Sequence, residues 1–280
     1  MQFKQFLIML TIAASSVGSM AGAHADDAAA LQSIVERASP SIVIVRVVMK
    51  TTGTQGADRE TKADMTGVVV DRSGLVMMSN MMFAYARVSA LMGRNVGQTE
   101  GFKTYPTEMT TLFDQDDKPY PTTLVATDSK LDIAFVKVEG LGAKKLVPVE
   151  FNHGGAGAVG QEVVAVSRLH KGFDYAPYFM TSRICGAVLK PKKAFMVEGG
   201  LESLGLPVFS LSGEPLGVLT TLESGVKEEA LIEGMMFHNF TQQIIGGKGG
   251  YIQTFILPAQ TVYGVVSQAK LKAAETKTKK

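Results

Sequence analysis

The stretch "GVVVDRSGLVMMSNMMFA", Gly67 to Ala84, decides how the rest of the chain is read. Two short apolar runs, one β-branched and one rich in methionine, flank Asp71-Arg72-Ser73-Gly74, residue types that favour a tight reversal. A strand, a turn and a second strand are expected. Alternation along the second strand would bury half of the methionines Met77, Met78, Met81 and Met82. Any left facing a cleft would make an adaptable apolar surface.

The same signature recurs outward in both directions. "SIVIVRVVMK", "TTLVATD", "DIAFVKVEG", "EVVAVSRL", "SRICGAVL", "LPVFSLSGEPLGVLT" and "TFILPA" are short apolar runs between Gly, Asp, Ser or Pro turns. Helical patterns stand only at the ends. "DDAAALQSIVERASPS" has an acidic opening and apolar spacing and stops before Pro40, and "AQTVYGVVSQAKLKAA", residues 259–274, puts Val262, Val265, Val266 and Ala269 on one face. Many strands without strand–helix alternation give an all-β chain, a barrel or sandwich or two barrels in sequence. The polar segment 92–117 reads as a long loop or flap, and 231–250 as a loop.

Composition sets the class. The first 25 residues, with Lys4, an apolar run and Ala23-His24-Ala25, are a secretory signal peptide with cleavage expected after Ala25. An exported chain of 255 residues (280 less 25) then remains, periplasmic or extracellular, with no membrane span. The 46% hydrophobic content of the full 280-residue sequence argues against a disordered chain. The formal charge of +2 falls to +1 without Lys4, which gives no general reason to expect nucleic acid or a membrane as partner. The single Cys185 makes no intramolecular disulfide, and with the scattered His153, His170 and His238 it offers no ligand spacing, so neither metal nor cofactor is expected. The lysine-rich end after Ala269 reads as a solvated, fraying helix terminus.

Read in order, the strand motifs resemble the trypsin-like serine proteases of the HtrA/Deg branch. "GVVVDRSGLVMMSNMMF" is similar to that family's GSGFIIDxxGYILTNNHVV, "LVATDSKLDIAFVKVEG" to VxGxDxxxDLAVLKV, "GQEVVAVSRL" to GxxVxAIGNP, "MTSRICGAV" to VTxGIVSAL, "GLPVFSLSGEPLGVLT" to GGPLxNxxGxVIGI and "TFILPAQTVYGVVSQ" to GFAIPxxxVxxVxxQL. The resemblance covers nearly the whole exported chain. It implies two six-stranded barrels, at about 40–140 and about 145–258, followed by a helix at about 259–274, with no PDZ module.

The same motifs locate a site and empty it. On the family pattern Met81 stands where the catalytic histidine ends the TNNH run, Asp132 keeps the aspartate, and Leu204 stands at the nucleophile. Gly205 takes the first glycine after it, and Glu202 replaces a glycine of the oxyanion turn, with Ser203 between. A serine needs an imidazole to take its proton, and the aspartate serves only to orient that imidazole. A thioether and an isobutyl group do neither. The resemblance therefore implies a pseudoprotease, a protein- or peptide-binding, scaffolding or chaperone-like module with a cleft lined by Met81, Leu204 and Leu206. Its partner would be an unidentified protein or peptide outside the cytoplasm, and oligomers are possible. The alternative is an active endopeptidase built on Ser203 and a loop histidine, His153 or His170. Asp132 has a second reading as a turn cap that accepts backbone N–H bonds, and His238 as a packing residue.

Overall fold

The computed structural model describes residues 27–52, 58–83, 103–113, 118–190, 192–199, 201, 204–221 and 254–278. A helix over residues 27–38 (α1) leads into β1 (Ile42–Thr52), β2 (Arg59–Asp71), β3 (Leu75–Ser79), β4 (Lys103–Phe113), β5 (Tyr120–Asp128) and β6 (Ile133–Val138). These close into an antiparallel barrel in the order β1-β2-β3-β6-β5-β4. β7 (Glu162–Arg168), β8 (Pro177–Val188), β9 (Ala194–Val197), β10 (Pro207–Ser210), β11 (Pro215–Thr220) and β12 (Phe255–Pro258) close a second barrel in the order β10-β11-β12-β9-β8-β7. A final helix, α2 (Ala259–Thr278), follows directly.

One expectation fails in the first barrel. The segment 92–117 is not a loop throughout, because Lys103–Phe113 is β4, paired along β1 from Val43↔Phe113 to Thr52↔Lys103. Pro106 hid it, since proline removes a ladder donor and argues against a strand. The register shift between Val48 and Met49, which face Glu108 and Pro106, is the bulge that accommodates it. Residues 231–250 lie outside the described residues.

Three apolar cores explain why β3 is buried along its whole length rather than on one face. Met78 points into the first barrel with Val43, Val45, Val76 and Val136, and Leu206, Val208, Leu216 and Ile256 fill the second. Met77 points the other way, into a third cluster between the barrels, where Leu75, Phe135, Val164, Phe209 and Leu257 meet Ile34 of α1 and Val262 of α2. A strand packed on both faces reads as a continuous apolar run, so alternation at Met77 and Met78 is absent.

Polar ties fix the barrels relative to one another. Arg168, buried at the end of β7, donates from Nε to the Ile42 carbonyl at 2.7 Å, and from its terminal nitrogens to the carbonyls of Tyr175 at 3.1 Å and Ser39 at 2.6 Å. Tyr175 itself packs on Ile44 and Leu112 of the first barrel.

The helix after Ala269 does not fray where lysines begin. Lys270 donates to Asp71 at the end of β2 at 2.8 Å, and Ala273 packs on the inter-barrel cluster. Burial acts to raise the Asp71 pKa, but hydrogen bonds from Lys270 and Ser73 outweigh it and lower it to about 2. A depressed carboxylate contributes stability above its ordinary pKa of about 3.9 and loses it as pH falls through the folded value. Asp71→Asn is therefore expected to flatten the acid limb of the stability curve between about pH 4 and pH 2. The half-exposed pair limits the loss at neutral pH to at most about 1 kcal/mol. Urea midpoints measured across that window check it, and an unchanged acid limb would remove the tie from the account.

Candidate functional site

β3 ends at Ser79, and the chain turns at once into a 3-10 turn, Met81–Phe83. The Ser79 hydroxyl donates to Asp132 Oδ2 at 2.9 Å and accepts from the Met81 N–H at 3.1 Å. Asn80 N–H donates to the Asp132 carbonyl at 3.1 Å. Ser79 and Asp132 are both 2% exposed. The carboxylate thus faces a neutral hydroxyl that is closed off from solvent.

Asp132 holds a left-handed backbone at φ 54°, a conformation that Asp tolerates better than most residues. The turn before it is capped by a different aspartate, Asp128, whose Oδ1 accepts from the N–H groups of Lys130 and Leu131 at 3.0 and 3.1 Å. Beside it Asn80 donates from Nδ2 to Ser129 Oγ at 3.1 Å and leaves its buried Oδ1 without a hydrogen bond. An unmet acceptor of this kind costs about 1–3 kcal/mol.

The second barrel meets this corner at two places. Gly205 has φ 84°, and a Cβ there would lie 2.7 Å from Ser79 N and 3.2 Å from the Met78 carbonyl carbon. The turn at Leu204 and Gly205 is therefore pressed against the backbone end of β3, while Gly205 N–H donates to the Leu219 carbonyl at 2.7 Å. Thr220, at the end of β11, donates its hydroxyl to the Leu131 carbonyl next to Asp132. Gly205→Ala is expected to cost at least about 1–2 kcal/mol from the left-handed backbone alone. The displaced Ser79 backbone adds to that. Thermal unfolding should show a Tm lower by several degrees, and an unchanged Tm would mean that the two segments do not touch in solution.

The residues singled out in the sequence separate here. Met81 and Leu204 are half-buried, and they stand in sequence two positions after Ser79 and one before Gly205, the residues that meet across the barrels. Leu206 does not line a cleft. It is fully buried in the core of the second barrel with Val163, Ile184 and Leu219, because the first residue after the turn already follows the inward alternation of β10. Glu202, Ser203 and His238 lie outside the described residues. His153 is exposed on the 3-10 turn Phe151–His153, and exposed His170 accepts from Gly172 N–H at 3.1 Å with its ring edge on Phe173 at 4.8 Å. Sequence reading missed Ser79 and Thr220. Their contacts span 53 and 89 positions, beyond any local pattern.

Chemically the corner holds, among the described residues, an acid and a hydroxyl but no imidazole. Ser79 cannot serve as a nucleophile in place of the missing one, since a substrate carbonyl has no path to an oxygen this deeply buried and already hydrogen-bonded. Among the described residues no three His, Cys, Asp or Glu side chains converge to hold a metal ion, and no helix is long and apolar enough to cross a membrane.

Neither a family model nor a curated protein matches the chain. Among solved structures it is similar to Deg5, with a TM-score of 0.50 and 16% identity over 82% of this chain and 89% of that one. It is also similar to the MamO protease domain from Magnetospirillum magneticum in its apo form, with a TM-score of 0.47 and 15% identity over 81% of this chain and 96% of that one. At such identity the likeness to Deg5 concerns the fold, two six-stranded barrels of the trypsin-like type.

Proposed function

We propose that this chain of trypsin-like fold is an exported protease homologue that does not hydrolyse peptides and instead binds an extended segment of another protein at the seam between its barrels. One observation carries the reading. Met81, a thioether that binds no proton, follows Asn80 where a catalytic imidazole is needed, beside the buried Asp132 that would orient it. With Leu204 in the nucleophile position, the corner supplies neither a base nor an attacking group.

The same substitutions favour binding. Met81 and Leu204 leave apolar, half-buried side chains close in sequence to the residues that meet across the barrels, a setting for the apolar side chains of an extended peptide. Methionine adapts its shape to varied partners. The signal-like leader, residues 1–25, supports a role outside the cytoplasm.

A peptide array read by bound protein and by peptide mass tests this reading. Binding with intact peptide masses is the expected result, and it should weaken at least about tenfold in Met81→Gln with Leu204→Gln, since losing two apolar contacts costs about 1.4 kcal/mol or more. Cleaved peptides, or binding indifferent to both changes, would contradict it.

A further inference from the structure

The hairpin formed by β8 and β9 carries a surface that the seam does not use. Val188 and Ala194 are its last paired residues, and Leu189, Lys190, Lys192 and Lys193 stand at the tip between them. From residue 184 to residue 197 the hairpin carries three lysines and neither aspartate nor glutamate. Lys190 and Lys192 are exposed and, among the described residues, in no ion pair, and the Lys193 ammonium sits 5.7 Å from the centre of the Phe195 ring. Lys50 and Lys270, by contrast, reach carboxylates at 2.8 Å. Leu189 is 76% exposed, more than any other large apolar side chain among the described residues.

Neither feature serves the fold. Hairpin tips are built from Gly, Asn and Asp, which supply the backbone conformations a reversal needs, and a leucine that remains three-quarters exposed contributes little burial. The chain as a whole has a net charge of only +2, so the positive charge of the tip is a local feature, as is that of the lysine-rich C-terminal end.

We propose that the tip of this hairpin docks on a bilayer surface rich in anionic lipid headgroups. Lysine stems lie along the interface while their ammonium groups reach the phosphates, and a leucine between them enters the boundary of the acyl chains. An acidic protein surface would match the charges but would leave Leu189 without an apolar seat. Each lysine near an anionic surface contributes about 1 kcal/mol, so three give reversible, salt-sensitive attachment rather than insertion. The inference is independent of whether the seam hydrolyses or binds peptides.

The chain has no tryptophan, so Leu189→Trp places a single reporter at the tip. Both barrels and both helices lie within residues 27–278, and the chain from Asp26 onward is the unit to test. With vesicles of phosphatidylcholine and phosphatidylglycerol, the Leu189→Trp emission is expected to shift to the blue, and with phosphatidylcholine alone to stay unchanged. In vesicle sedimentation the unmodified protein should partition to the anionic vesicles and be released by salt. Lys190, Lys192 and Lys193, all changed to Gln, should partition about 100-fold less, the equivalent of about 1 kcal/mol for each lysine. A control with the same loss of charge, Lys62, Lys130 and Lys145 changed to Gln on exposed sites elsewhere, should lose little. No blue shift, equal partition to neutral vesicles, or equal loss in the control would each overturn the proposal.

Discussion

Met81→His combined with Leu204→Ser is expected to yield no measurable peptidase activity and no fluorophosphonate labelling as long as Glu202 is in place. The pair restores a base and a nucleophile, and the Ser79 hydroxyl at 2.9 Å takes only one of the roughly four lone-pair sites of the Asp132 carboxylate. The obstacle is Glu202, since the resemblance puts a glycine of the oxyanion turn there, and one lost oxyanion donor costs about 100-fold to 1000-fold. Labelling should first appear when Met81→His and Leu204→Ser are joined by Glu202→Gly. Replacing Leu206 by glycine, which the family pattern suggests, is expected to fail for another reason. It would empty a fully buried site in the second barrel at about 3 kcal/mol or more. Labelling of the double variant with Glu202 intact would refute the role given to that residue.

Arg168→Met is expected to be the most destabilising single change outside the apolar cores, by about 3–5 kcal/mol. Its guanidinium is 7% exposed and donates to the carbonyls of Ser39, Ile42 and Tyr175. A thioether of similar length fills the volume but takes the donor from the carbonyls of Ile42 and Tyr175, while the Ser39 carbonyl keeps only the Ile42 N–H. Lysine should rescue little, because one ammonium cannot reproduce a planar fork aimed at three separate carbonyls. Urea denaturation of the two variants checks this. A loss under about 1 kcal/mol in both would mean that water satisfies those carbonyls and that Arg168 does not tie the barrels.

The motifs that were legible in the sequence are those written in local pattern. β3, β6, β7 and β12 are compact apolar runs bounded by turn residues, and α2 shows its apolar face at Val262, Val266 and Ala269. β4 was hidden by Pro106, and β9 by the lysines directly before it, which leave it without the Gly, Asn or Asp turn that bounds the other runs. Met77 and Met78 broke the expected alternation because the second barrel covers the outer face of β3, a fact of tertiary packing and not of the strand itself.

At the site, the thioether at Met81 and the isobutyl group at Leu204 could be read directly, because they are single residue types at positions that the motifs mark. The surrounding contacts could not. Ser79 looks like any strand-end serine until the chain brings Asp132 to it, and Leu206 looks like a cleft residue until the inward alternation of β10 is seen to begin with it. Single residue types are legible in a sequence, whereas contacts between distant residues are not.

The most direct measurement of the central claim is fluorophosphonate labelling of the unmodified chain from Asp26 onward, run beside an active serine protease under the same conditions. The account predicts no labelled band at any pH in the stable range, because no described hydroxyl at the barrel contact is both accessible and paired with a base. A robust band that Ser203→Ala abolishes would contradict it, and would make this chain a hydrolase with a rearranged site.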